Sequence, residues 1–244
     1  ERYLNGVVPY EIGASSPEAA LAAQAVLART WAMANTHRFK VDGYNLCSDT
    51  QCQVYKDPSK ANLKIKTAIK KTTGKILTWN KKPINTVYHA TNGGVMASVD
   101  EAWSINQVPY LQMRLDGPKH WAGSVDLPLS NEKYLKSFLF SKSEAFGSDH
   151  PLFRWERTIE SSQISKQLKK AQKVGSSFYP YKIEVLRRGS SGRVTSLKIE
   201  GKSGSKILLK LDDIRRVLRE LPSTLFVVKE IKEGKWLFSG GGFG

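Results

Sequence analysis

The chain lacks the raw material for several classes of protein. Two cysteines in 244 residues are a poor start on a structural zinc site, which takes four nitrogen or sulfur ligands. Nowhere does an apolar run reach the length of a membrane span. Acidic residues are few beside basic ones, 22 against 38, for a net charge of +16. That balance favours polyanionic partners. The basic residues are nevertheless spread along the chain, with concentrations at Lys64 to Lys75, Lys166 to Lys173 and Arg187 to Arg193. No recognisable nucleic-acid module accompanies them, so much of this charge is a solvated surface. With 40% hydrophobic residues, the chain can bury a sizeable core in one large or two small domains.

The first thirty-odd residues hold the most informative stretch. Glu11 stands among Pro9, Tyr10, Ile12 and Gly13, where proline and glycine break a continuous helix or strand, so the carboxylate is expected to project from a loop or strand end. Tyr10 and Ile12 can shield it from water, which disfavours the ionised form and moves it toward the behaviour of a general acid. Ser15, Ser16, Pro17 and Glu18 read as a helix start, with a serine cap, a first-turn proline and an acid at the positive end. From Ala19 to Ala34 small residues occupy nearly every face, the pattern of a buried helix. Gln24, Arg29 and Thr30 are polar groups that such a helix must pair. For Arg29 two roles stay open: a tie to a loop carbonyl or carboxylate, or a place in the site.

The run from Tyr3 to Ala32, with its VVPYE turn and AAQAVLARTWA helix, resembles the SpoIID/LytB family, named for stage II sporulation protein D. Its members are bacterial cell-wall proteins, the best known being lytic transglycosylases that cut peptidoglycan glycan strands. The resemblance implies that Glu11 is the catalytic acid, that peptidoglycan glycan strands are the partner, and that the protein works outside the cytoplasm. The LytB branch adds a second implied role, a non-catalytic wall-binding activator of an amidase. Neither cofactor nor metal is expected, because the implied mechanism needs only one carboxyl group. Nucleic acid is not an expected partner, and the net charge fits the carboxylates and phosphates of a wall. Family members are exported, so an export or anchoring segment is expected upstream of Glu1, and any membrane anchoring would lie in it. Family sequences also continue beyond a WLFSGGGFG-like end into an H-G-x-G-(M/L)-S-Q segment, so the chain reads as a trimmed fragment.

After the first helix, Cys47 and Cys52 lie beside Asp49, Thr50 and Gln53. Some family members bind zinc here with added histidines, but this chain has Gln51 before the second cysteine and Val41 upstream. His37 reads as a helix-end residue. A short-loop disulfide is the expectation, with free thiols the alternative. Gln53, in a family-like TQCQVY block, is a candidate for the glycan cleft. Asn62 to Thr73 read as an amphipathic helix, followed by a hairpin of KILTWN and INTVYHATNGG around a Lys-Lys-Pro turn. Tyr88, His89 and Thr91, next to Gly93 and Gly94, resemble the family's YHS/T-x-x-GG block and are candidate cleft residues, the glycines permitting close approach of a ligand. Glu101 and Trp103 resemble its E-x-W segment before a PYL strand. Glu101 and Asp100 are candidates for the second carboxylate of a hydrolase; Glu101 is otherwise half of a structural ion pair with Arg29 or another base. Trp103 either stacks on a sugar or packs in the core.

Residues 116 to about 150 read as a long irregular connection rich in Gly, Pro and Ser. Beyond them come a strand and helix (WERTIESSQISKQLKKAQ), a hairpin through Gly189 to Gly192, a strand and helix (SKILLKLDDIRRVLREL), and strands near Phe226 and Trp236. The expected fold class is α+β. A catalytic domain over 1–115, with 230–244 returning to it, is built on the buried Ala-rich helix and a β-hairpin. A second, smaller α+β domain over 116–229 shapes the cleft.

Overall fold

A computed structural model describes residues 1–175 and 177–244. It is α+β, and the chain divides into two compact units, Glu1–Tyr88 and His89–Gly244. Residues 89–115 and 230–244, which the sequence reading placed with the N-terminal domain, make their contacts inside the second unit. They do meet each other there, through a bridge between Thr91 and Phe243.

The first unit is helical. Helix α1 (Arg2–Val8) runs directly into a π-helical turn, Pro9–Gly13. Glu11 therefore projects from a widened helical turn and not from a loop or strand end. The wider turn tolerates the N–H that Pro9 lacks, and single π turns of this kind concentrate at functional sites. Gly13, at φ +86°, then takes the left-handed conformation that ends it. The expected serine cap is not made: Ser16 donates its hydroxyl to the Ile12 carbonyl at 2.7 Å, and α2 (Glu18–Ala34) begins behind Pro17. Along α2, Leu21, Ala25 and Ala28 are fully buried, and they meet Leu4, Val7 and Val8 of α1 and Ile65 and Ala68 of α3 (Leu63–Lys71) in one core. Small side chains let these three helices approach closely. The Asn62 side chain caps α3, accepting from the Ile65 N–H at 3.0 Å. The hairpin that follows is short, β1 (Thr78–Trp79) against β2 (Lys82–Pro83). Residues 84–90 continue without strand structure; instead the Thr86 hydroxyl and the Asn85 side chain tie them to α2 at Leu27 and Asn35.

The second unit has two layers of antiparallel strands with helices. After the short pair β3 (Val95–Met96) and β4 (Arg114–Leu115), residues 116–150, whose composition predicts an irregular connection, contain two helices: α4 (Lys119–Ser124) and α5 (Glu132–Phe140). Leu135, Phe138 and Leu139 line the buried side of α5, and the Asn131 side chain caps it. That spacing is helical, but the surrounding glycine, proline and serine obscure it. The segment Pro109–Leu111, expected as a strand, is a turn. Strand β5 (Trp155–Glu160) and helix α6 (Ser161–Lys170) follow, joined by a reciprocal cap between Glu160 and Gln163. One sheet is β6 (Pro180–Arg188), β7 (Val194–Gly201) and β8 (Lys206–Lys210), with α7 (Asp213–Val217) after it. The other has the order β5, β10 (Lys235–Gly240), β9 (Phe226–Lys232). Their shared core contains Ile159, Leu168, Leu197, Ile199, Phe226 and Phe238.

One position in the first unit has no room for a side chain. A Cβ on Gly6 would lie 2.4 Å from the Tyr55 ring and 2.8 Å from the Lys56 carbonyl, closer than packed atoms come. Gly6→Ala is expected to lower the unfolding free energy by about 1–3 kcal/mol, although alanine is the better helix former. Urea denaturation checks this, and an unchanged or raised midpoint contradicts it.

Candidate functional site

In the first unit the π turn, α1 and residues 53–57 bring four polar side chains together. The Lys56 N–H donates to the Gly6 carbonyl at 3.0 Å, the Tyr55 ring stacks on Tyr3 at 5.5 Å between centroids, and the Tyr10 hydroxyl donates to the Asp57 carbonyl at 2.9 Å. Docked this way, the segment places Gln53 between two phenols. Gln53 is 1% exposed; its Oε1 accepts from the Tyr3 hydroxyl at 2.9 Å, and its Nε2 donates to the Tyr88 hydroxyl at 3.2 Å.

The direction of these bonds leaves one proton free. Tyr88 accepts from Gln53, so its own hydrogen is free to turn toward the Glu11 charge that it feels. The Val54 N–H donates to Glu11 Oε1 at 2.6 Å. Glu11 is half-buried, held by a backbone donor within the electrostatic reach of the Tyr88 phenol. Burial and then the Glu11 charge push the Tyr88 phenol up from its ordinary value. Burial and then the same charge push Tyr3 up to about 12. Both phenols therefore stay neutral donors across the physiological range.

Of the sequence-predicted residues, Glu11, Gln53 and Tyr88 come together. Tyr3 and Val54 were not among the candidates. Val54 contributes only its backbone and leaves no signal in residue type, whereas Tyr3 stands on the helix that carries Glu11, two turns before it. Arg29 and Gln24 are both buried on α2. Arg29 clasps the Glu1 carboxylate at 3.0 and 2.8 Å and donates to the Lys75 carbonyl at 3.0 Å, which ties the start of α1 to the end of α3. Of its two open roles, the structure displays the tie. Gln24 Nε2 has no hydrogen-bond partner among the described residues. Cys47 and Cys52 form a disulfide with a Cα separation of 5.6 Å, directly before Gln53, and among the described residues no group of three or more His, Cys, Asp or Glu could hold a metal.

The remaining candidates belong to the second unit. His89 is solvent-accessible, and desolvation followed by the Arg193 charge lowers its basicity, with Asp116 opposing. Thr91 is buried in the bridge to Phe243. Gly93 admits another part of the backbone: a Cβ there would lie 2.7 Å from the Gly242 nitrogen. At Gly94 a Cβ would meet that of Ala145 at 3.0 Å. Both glycines are thus packed against protein. Glu101 is 4% exposed, and its carboxylate accepts from the Ser190 hydroxyl at 2.8 Å, the Ser191 N–H at 3.2 Å and the Ser191 hydroxyl. That arrangement clamps the turn between β6 and β7. Its charge partner is Arg193, not Arg29. Trp103 is 40% exposed and is in none of the core clusters.

Residues 1–79 match the family described as Stage II sporulation protein, and residues 97–244 match a domain of unknown function, DUF8618. The chain belongs to the DUF8618 family, whose model covers more than half of it, and its N-terminal residues 1–79 form a SpoIID-like region. Among curated relatives, an uncharacterized protein of Brachyspira hyodysenteriae is 37% identical over 117 residues, 46% of this chain and 30% of the relative. The Amidase enhancer of Bacillus subtilis is 38% identical over 113 residues, 46% of this chain and 15% of the relative. Stage II sporulation protein D of Bacillus subtilis is 36% identical over 129 residues, 46% of this chain and 37% of the relative. The chain thus spans well under half the length of each.

The phenols give a pH signature. A tyrosine whose folded pKa exceeds its unfolded value keeps its proton in the fold after the unfolded chain has lost it, so stability falls as pH rises from about 10 toward about 12. In Glu11→Gln, where the carboxylate charge is gone, the Tyr88 ionisation is expected to move to lower pH. Absorbance titration of the phenolates reads this directly, and an unmoved titration would contradict the contact.

Proposed function

We propose that the chain is a peptidoglycan lytic transglycosylase, working outside the cytoplasm on the bond between N-acetylmuramic acid and N-acetylglucosamine, with Glu11 as general acid and then base. The observation that carries this reading is a half-buried carboxyl group, Glu11, fixed by the Val54 N–H and coupled to the Tyr88 phenol beside it. A single carboxyl group can complete this reaction. Protonated Glu11 donates to the glycosidic oxygen as the C1–O bond breaks, leaving an oxocarbenium-like centre. Glu11, now a carboxylate, takes the proton of the muramic C6 hydroxyl while that oxygen bonds to C1. The proton gained equals the proton given, no water enters, and the product ends in a 1,6-anhydro ring. Hydrolysis by the usual routes would need a second carboxylate at a set separation; of the two sequence candidates, Glu101 has its oxygens committed to Ser190 and Ser191, and Asp100 accepts from Ser98 and Gln107. Tyr88 orients the carboxylate, and Tyr3 and Gln53 orient Tyr88.

A second reading has a specific observation in its favour: the 38% identity to a protein named Amidase enhancer. In that reading the chain binds the wall and raises the activity of a separate amidase without cutting glycan.

Release of soluble fragments from dye-labelled peptidoglycan separates the two. Glu11→Gln is expected to lower release by roughly 10²–10⁴-fold, the usual contribution of a positioned acid or base, and Tyr88→Phe by less, since the carboxylate keeps Val54. Unchanged release by Glu11→Gln would sink the transglycosylase. Release seen only when an amidase is added, equally from both variants, would establish the activator.

A further inference from the structure

The second unit contains a cavity that the proposed chemistry does not use. It has a volume of about 520 Å³ and lies where the start of β6 meets the β7–β8 turn and the β9–β10 hairpin, lined by Tyr179, Tyr181, Lys202, Glu230, Glu233 and Gly234 among others. That volume is in the range of small-ligand sites. Two features set it apart from an incidental surface dent. Tyr179 and Tyr181 are 40% and 46% exposed: alternation about the buried Pro180 puts two large rings side by side on the solvent face. Both walls also carry irregularities in strand pairing, at Pro180/Lys182 and at Lys235/Trp236, the kind of bulge that re-aims side chains beside sites.

The chemistry of the lining points to one class of ligand. The Tyr181 hydroxyl donates to Glu200 at 3.0 Å, so this partly exposed ring is held at its edge, a plate that loses little entropy on binding. Lys202 stands over the Tyr179 ring at 5.3 Å and reaches Glu233 at 3.4 Å. The side chains of that ion pair are 60% and 89% exposed, so it is weak and free to exchange partners. Glu230 accepts from the Gly234 N–H at 2.9 Å and shapes the hairpin turn. Gly234 leaves space for the Tyr179 hydroxyl, which would stand 3.0 Å from a Cβ there. Aromatic faces bordered by exchangeable carboxylate and ammonium groups suit a ligand with an apolar C–H face and a rim of hydroxyl and amide groups.

We infer that this cavity is a saccharide-binding subsite that takes N-acetylhexosamine rings of a glycan strand on Tyr181 and Tyr179. The inference deepens the transglycosylase reading and rests on it for the identity of the strand. It gives the second unit a purpose: retaining the polymer independently of the reacting bond.

The test uses the full chain and a soluble N-acetylglucosamine tetramer, which offers the ring chemistry without a muramic residue to cleave, with binding followed by calorimetry. Saturable binding is expected, weakened roughly tenfold by Tyr181→Ala and little changed by Tyr181→Phe, which keeps the ring. Glu233→Ala, at an exposed turn, is expected to weaken binding with the fold intact, and circular dichroism verifies each variant. Absence of binding, equal binding by Tyr181→Ala and Glu233→Ala, or displacement of the tetramer by free stem peptide each overturns the subsite. The dye-release comparison of Glu11→Gln with the unmodified chain reports on the transglycosylase separately, so either idea can fail alone.

Discussion

Residues 53–57 can lie along α1 only because position 6 has no side chain. At that crossing the Lys56 N–H reaches the Gly6 carbonyl, and the Tyr55 ring covers the place where a Cβ would be. Everything polar around Glu11 depends on this approach. Gln53 and Val54 are on the docked segment, Tyr3 is on the helix it docks against, and the π turn carries Glu11 onward from the same helix. The disulfide between Cys47 and Cys52 closes the loop immediately before Gln53, which limits the conformations open to that segment in the unfolded chain.

The cluster works through the order of its hydrogen bonds. The buried Gln53 amide lies between two phenols, accepting from Tyr3 and donating to Tyr88, and this leaves the Tyr88 hydrogen free to turn toward the Glu11 charge. Burial makes the arrangement stiff, because leaving any member unpaired costs about 1–3 kcal/mol. In the second unit, carboxylate and guanidinium groups serve a different end. Glu101 clamps the β6–β7 turn, Arg193 donates to the Val95 and Asn92 carbonyls at 3.0 and 3.1 Å, and Arg154 donates to the carbonyls of Gly93, Phe138, Leu139 and Phe153. These side chains stand in for backbone donors where the chain has no ladder.

Much of the architecture is legible in residue pattern. Alternation and turn glycines announce β6 and β7, and the run of small residues announces α2. What the sequence conceals has physical causes. The π turn looks like a break because proline and glycine break most helices. Ser16 looks like a cap, yet its hydroxyl is bound to Ile12. Helix α5 is hidden by its neighbours' composition, and the strand expected over 84–90 is replaced by side-chain ties to α2. The glycine pair at 93 and 94 invites a ligand on paper, but the backbone of Gly241 and Gly242 and the side chain of Ala145 fill the space. Gln53 and Tyr88 can be picked out singly from the sequence. Their connection to each other and to Tyr3 cannot, because the Tyr3 bond depends on a crossing of segments about fifty positions apart.

Mass spectrometry of the glycan ends produced from purified peptidoglycan tests the central claim most directly, that one carboxyl group ordered by Val54 and Tyr88 performs both proton transfers. The account predicts fragments ending in 1,6-anhydro-N-acetylmuramic acid, formed without incorporation of oxygen from labelled water. Reducing muramic ends carrying the label would contradict it, since water would then be the acceptor and a second base would be required.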